Sequence, residues 1–209
     1  MMCAAPCSCG PDVECSVAGR PMTGQSVSGD TFVCQPCDGG TLVGVIDGLG
    51  HGEEAAVASS LAKRIMEEYA SEELAALIER CNSEMRQTRG AVASLARFDT
   101  ESGTLSLLGV GNVDGILFRH CDDGGVKRES MALRGGVIGY MLPPLRVWTG
   151  ELHDGDTLVL ATDGLSGAFG EDIDHGAELD AIVDRLLKDY GKTGDDALVL
   201  AVRYTGGAA

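Results

Sequence analysis

The apolar pattern of this chain changes its period partway along, and that change limits the folds open to it. Ala58, Leu61, Ala62, Ile65 and Tyr69 recur at the three-to-four spacing of one helix face. Leu74, Leu77, Ile78, Cys81 and Met85 repeat that spacing at once, which predicts a second helix. Ser71 with Glu72 and Glu73 marks its start, with acids at the positive end of the dipole. From Ala91 the spacing is that of strands: Val92–Arg97, Thr104–Val110, Ile116–His120, Arg146–Leu152 and Thr157–Thr162. Upstream, strands near Thr31–Gln35 and Thr41–Ile46 flank a hairpin turn at Cys37-Asp38-Gly39-Gly40. Leu179, Ile182, Val183, Leu186 and Leu187 suggest one more helix, and Ala197–Tyr204 closes the pattern as a strand. Strands in hairpins and helices in a consecutive pair exclude an alternating βαβ order. The layered solution is an α+β fold: mostly antiparallel sheets packed on each other, with helices outside.

A chain of 209 residues is one domain of ordinary size. Residues 16–209 are read as that domain and 1–15 as a tail or an edge segment. Aromatics are only 4%, so Val, Leu, Ile and Ala must fill the core. No apolar run is long enough to span a bilayer, and no charged region followed by an apolar one opens the chain. Neither a membrane span nor a secretory signal is expected, and the expected location is the cytoplasm. The formal net charge of -16 disfavours nucleic acid and anionic membrane as partners. A phosphate-handling enzyme this acidic needs positive charge at its site, and bound divalent cations would supply it. A monomer is the expected state.

Six of the eight cysteines fall in the first 37 residues: Cys3, Cys7, Cys9, Cys15, Cys34 and Cys37. Cys34-x-x-Cys37 and Cys7-x-Cys9 invite a zinc reading, because a structural site gathers about four thiolate or imidazole ligands at short spacing. The reading preferred here is a set of reduced thiols, some buried, with no disulfides. A redox motif is disfavoured because Cys34-x-x-Cys37 does not open a helix.

Chemistry is concentrated in four aspartates beside glycines or at strand ends: Asp30 in Ser28-Gly29-Asp30, Asp47 in Val45–Gly52, Asp163 in Asp163-Gly164, and Asp195 in Gly194-Asp195-Asp196. After Asp47, glycines at 48, 50 and 52 make a turn of little bulk, where backbone carbonyls and a carboxylate can reach one ion together. Any one of these acids alone reads as turn chemistry. Together, on neighbouring strands, they would crowd one sheet edge. Two carboxylates about 4 Å apart repel by roughly 4 kcal/mol at an effective dielectric of about 20. Such a cluster needs cations, and all-oxygen ligands favour Mg²⁺ or Mn²⁺. Two ions bridged by one carboxylate would hold a water, lower its pKa and aim it at phosphorus.

These segments, with Gly109-Val110-Gly111-Asn112-Val113 and Leu160-Ala161-Thr162-Asp163-Gly164-Leu165, resemble the metal-dependent protein phosphatase (PPM, type 2C) family in its SpoIIE-like bacterial branch. They occur in family order and frame residues 28–204. The compact length and the Gly-Val-Gly-Asn-Val segment look most like RsbX-type phosphatases, which reset stressosome phosphoproteins. The resemblance implies a four-layer α-β-β-α sandwich with a binuclear metal site at one end. Asp47 would bridge both ions, the Gly48 carbonyl would bind one, and Asp163 and Asp195 would bind the other. Asp30 would support the cluster directly or through water, and Asp196 would stand behind it. The implied reaction is hydrolysis of phosphoserine and phosphothreonine, with stressosome scaffold or anti-sigma regulatory proteins as partners.

Some positions depart from the family pattern. Eukaryotic relatives carry an arginine where this chain has Gln25, so phosphate grip falls to the metals or to another base, Arg20 being the one considered. Leu198 replaces the hydroxyl residue of the last motif. The 31 residues between Asp163 and Asp195 leave no room for a large flap, which implies an open site and substrate choice by docking. For His51 a structural or helix N-terminal role is preferred over proton donation to the leaving oxygen. Trp148 is read as a core or sheet-face residue. Two rival functions are a phosphoprotein-docking module without catalysis and a two-metal hydrolase of nucleotides or small phosphoesters.

Overall fold

In the computed structural model, residues 2–10, 12–120, 125–167, 169–171 and 173–206 are described. Two antiparallel sheets stack face to face. One holds β1 (Met2–Ser8), β2 (Val13–Arg20), β7 (Asp114–His120), β8 (Val126–Ser130), β10 (Thr157–Ala161) and β11 (Ala197–Tyr204), in the order β1-β2-β11-β10-β7-β8. The other holds β3 (Asp30–Cys37), β4 (Gly40–Gly48), β5 (Ala91–Asp99), β6 (Thr104–Val110) and β9 (Trp148–Glu151), in the order β3-β4-β5-β6-β9. Helices α1 (Glu53–Glu68) and α2 (Leu74–Glu84) cover the five-stranded sheet, and α3 (Leu179–Tyr190) covers the six-stranded one. This is a four-layer α-β-β-α sandwich, with a helix pair on one side and a single helix on the other.

Side-chain alternation along the strands builds three apolar layers. In β11, Leu198, Leu200 and Val202 face the space between the sheets, while Ala197, Val199 and Ala201 pack toward Ile182, Val183 and Leu186 of α3. In β4, Val43 and Val45 face the other sheet, while Leu42 and Ile46 meet the layer that holds Ala58, Ile65 and Leu77 of the helix pair. Central strands buried on both faces read as continuous apolar runs. That is why they were legible.

Three strands were not. β1 and β2 fall in the segment whose cysteines draw attention to ligand spacing, yet β2 is interior, pairing with both β1 and β11. β8 is the charged run Val-Lys-Arg-Glu-Ser on a sheet edge, where charged residues are tolerated and apolar alternation is not required. Trp148 is 41% exposed on edge strand β9, with the Arg119 guanidinium 5.6 Å from its ring, so it is a sheet-face residue and not core.

The expectation of separate thiols is corrected, because Cys9, Cys15 and Cys34 meet at one point. Cys9 lies at disulfide distance from both Cys15 and Cys34. Cys34 and Cys37 do not act together, because residues three apart on a strand face opposite ways. Cys34 packs into the layer between the sheets, while Cys37 is a free thiol against the helix-side layer. The side chains of Cys3, Cys7 and Cys121 lie outside the described ones.

Candidate active site

The ladders carry the aspartates to one end of the sandwich. Asp30 opens β3 and stands directly opposite Asp47 near the end of β4. In the other sheet, β10 and β11 run antiparallel with Ala161 opposite Val199, so Asp163 just past β10 and Asp195 just before β11 emerge at the same edge. Thr162 ties the two sheets together. Its hydroxyl donates to Asp30 Oδ2 at 2.8 Å and accepts from the Leu198 N–H at 3.0 Å.

Glycines make this convergence possible. A Cβ on Gly164 would collide with the Asp196 carbonyl, and one on Gly48 with the Ala55 carbonyl at the start of α1. The Gly48 N–H donates to the Gly29 carbonyl at 3.1 Å, locking the end of β4 to the residue before Asp30. Gly50 and Gly52 have φ of 91° and 76°, in the left-handed region, and let the chain turn from β4 into α1. Asp196 is buried and accepts from the Met22 and Gly29 N–H groups, each at 2.7 Å, which pins the 22–29 segment. Asn112 Nδ2 donates to Asp163 Oδ2 at 2.7 Å.

Asp47, Asp163 and Asp195 line one open cleft of about 650 Å³, with His51 and Asn112 on its walls. Among the described residues, no three of these carboxylates offer one oxygen each within 4.8 Å of one another. The cluster is nonetheless electrostatically crowded. Burial first, then the charge of Asp47, raises Asp30 from 3.8 to about 8, against the hydrogen bond from Thr162. Burial, then the charges of Asp163, Asp195 and Asp196, raises Asp47 to about 7, while a hydrogen bond with Asp30 works the other way. Asp163 is raised by burial and by Asp195, and lowered by Lys192 and Asn112. Repelling, half-buried carboxylates with oxygen as the only donor suit hard divalent cations.

The structure thus brings together Asp30, Asp47, Gly48, Asp163, Asp195 and Asp196. His51 is exposed at the cleft, just ahead of the Gly52 that caps α1. Arg20 is not in the cleft; its guanidinium donates to the Lys192 carbonyl beside a neighbouring hollow. Sequence reasoning missed two bases at this end. Lys192 donates from Nζ to the Asp163 carbonyl at 2.6 Å, and Arg89 pairs with Glu54 beside Gly50. Lys192 stands three residues before Asp195, a spacing that could have flagged it. Arg89 carries no such signal.

A two-sheet sandwich whose strand ends gather these aspartates defines the class of type 2C metal-dependent phosphatases. Residues 37–205 match the family described as stage II sporulation protein E (SpoIIE). The chain is 33% identical over 143 residues to the phosphoserine phosphatase RsbX of Bacillus subtilis (strain 168), covering 68% of this chain and 70% of that protein. A crystal structure of RsbX in complex with magnesium superposes with a TM-score of 0.83 at 26% identity, covering 97% of this chain and all of that one. A structure from work on the bacterial stressosome as a modular system controlling secondary messenger signalling gives 0.81 at 28% identity, covering 92% of this chain and 100% of that one. The chain belongs to the SpoIIE family, and it is a phosphatase. No helix among the described residues is long and apolar enough to cross a membrane.

Proposed function

We propose that this phosphatase hydrolyses phosphoserine and phosphothreonine in regulatory proteins of a stressosome-type signalling system, using two Mg²⁺ or Mn²⁺ ions. The observation that carries this reading is the meeting of Asp30, Asp47, Asp163 and Asp195, drawn from four separate segments, at one end of the sandwich beside an open cleft. Asp47, the Gly48 carbonyl, Asp163 and Asp195 would hold the ions. When bound, the ions supply charge neutralisation and an acidified water as nucleophile.

The chain's own residues supply positioning. Asn112 fixes the rotamer of Asp163 through Oδ2. Thr162 holds Asp30 against Asp47, so the Asp47 carboxylate keeps one orientation. Asp196 holds the 22–29 segment in place from behind. The cleft is open, so a phosphorylated segment of a folded partner can enter it, and selectivity then rests on the protein surface around the cleft. Similarity to RsbX and to the stressosome structure supports a scaffold or anti-sigma regulatory protein as that partner.

The test measures phosphate release from a phosphorylated stressosome scaffold protein, from p-nitrophenyl phosphate and from free nucleotides, each with Mn²⁺ or Mg²⁺. Expected are metal-dependent turnover of all three, by far the highest rate on the phosphoprotein, and loss of activity with EDTA or in Asp47→Asn. Full activity after either treatment would overturn the site. Nucleotides preferred over the phosphoprotein would overturn the substrate class.

A further inference from the structure

At mid-sandwich, away from the acid cleft, three cysteines from three different segments converge. Cys9 follows β1, Cys15 lies on β2 and Cys34 lies on β3. Their sulfurs are all within 4.8 Å of one another, and Cys15 Sγ is 3.7 Å from Cys34 Sγ. Cys9 and Cys15 are buried, and all three belong to the apolar layer between the sheets. Thr41 on β4 donates its hydroxyl to the Cys9 carbonyl, which fixes the segment entering the cluster.

The geometry points to a structural zinc site formed by the thiolates of Cys9, Cys15 and Cys34. Zn–S bonds of about 2.3 Å in a tetrahedron put sulfurs about 3.8 Å apart, which the Cys15–Cys34 pair already satisfies. A disulfide employs two sulfurs and has no use for a third at the same point. Here Cys9 contacts both Cys15 and Cys34, and one sulfur can form a disulfide with only one of them. Binding one Zn²⁺ releases three thiol protons and leaves a net charge of -1, where three bare thiolates would carry -3. No oxidant is required. A fourth ligand, from a further side chain or a water, would complete the tetrahedron.

The site would have a mechanical role. It joins β2 of one sheet to β3 of the other, and the segment between those strands carries Met22 and Gly29, which Asp196 pins behind the acid cleft. A metal there closes that loop at its base. It is separate from the acid cleft in both place and ligand chemistry, since thiolates select zinc and carboxylates select Mg²⁺ or Mn²⁺.

The test uses the full-length, tag-free protein purified without added chelator. Zinc is measured by mass spectrometry, and thiols are titrated after denaturation with chelator. Expected are about one zinc per chain, all eight cysteines titratable, and an intense sulfur-to-cobalt charge-transfer band after exchange with Co²⁺. Cys34→Ser should lower zinc about tenfold, whereas Cys37→Ser and Asp47→Asn should retain it. Zinc below about a tenth per chain in the wild type, or no charge-transfer band, would overturn the site. A thiol count two short of eight would identify a disulfide as what gathers the sulfurs instead. The cobalt spectrum of the wild type decides the matter even where Cys34→Ser fails to fold.

Discussion

Stripping divalent ions from this protein should make its stability fall as pH rises from about 4 to 8, the reverse of ordinary acid denaturation. Asp30 titrates at 3.8 when unfolded and at about 8 in the fold, where burial and the facing Asp47 hold its proton. A carboxyl with a raised folded value binds its proton more tightly when folded. Its contribution is therefore fully present below the unfolded value and lost progressively as pH climbs through the folded one. At about 1.4 kcal/mol per unit, four units set an upper bound of roughly 6 kcal/mol. Asp47 is raised by the same crowding and shares a hydrogen bond with Asp30, so its shift is not added. Residual solvent contact halves the bound, leaving about 3 kcal/mol. For a chain of this length that is a Tm decrease of roughly 6–12 °C. Melting followed by fluorescence in EDTA between pH 5 and 8.5, with parallel runs in Mg²⁺ or Mn²⁺, reads it directly. The ions should remove the decline, because their charge would offset the repulsion among the carboxylates that the proton otherwise relieves. The general repulsion of a -16 chain also grows with pH, but salt screens it, while the buried pair is screened far less. A decline that survives 0.3 M salt and is flattened by Asp30→Asn belongs to the cluster. A metal-free Tm that is flat or rises with pH would refute the reasoning.

Two further outcomes follow from the same geometry. Thr162→Val keeps the shape but removes the donor to Asp30 and leaves the Leu198 N–H buried without its acceptor, costing about 1–3 kcal/mol by chemical denaturation. Thr162→Ser should restore most of that loss; equal stability of the Val and wild-type proteins would remove Thr162 from the linkage. Lys192→Met takes away the cation that lowers Asp163, so the acid limb of the pH–rate profile with Mn²⁺ should move to higher pH. A shift to lower pH would contradict the assigned electrostatics.

The helix pair, α3 and the central strands were legible because burial on one or both faces leaves a periodic or continuous apolar trace, as in Leu74–Met85 and Ala197–Tyr204. The four aspartates were legible for a different reason: each sits where an apolar run starts or stops. What escaped had no such trace. β2 reads Val-Glu-Cys-Ser-Val-Ala-Gly-Arg, yet it is interior because β1 and β11 lie on either side of it. The Cys9–Cys15–Cys34 convergence depends on which strands face each other across the sandwich, and Cys34-x-x-Cys37, the spacing that drew attention, is divided between two apolar layers by the strand's own alternation. Arg89 reaches the site from the segment between α2 and β5, and no local spacing marks it.

The Asp-Gly pairs bear on why such a site can be read at all. At Asp47-Gly48 and Asp163-Gly164 the glycine is required by packing: neither has a positive φ, yet at each a Cβ would strike a backbone carbonyl of another segment. Gly48 admits the first turn of α1 against the end of β4, and Gly164 admits the Asp195-Asp196 strand entry against the end of β10. An ordinary residue in either place would push those segments apart and take the aspartates with them. The glycine and the acid are therefore one functional unit. The acid supplies the ligand oxygen, and the glycine allows its partner strand or helix to come close enough for carboxylates of different segments to feel one another. The raised values of Asp30, Asp47 and Asp163 register that closeness, since burial in each case combines with the charge of an acid from another segment. An isolated turn aspartate needs none of this. A sequence in which several strand-terminal acids are each followed by such a glycine thus carries information about tertiary approach as well as local turn preference.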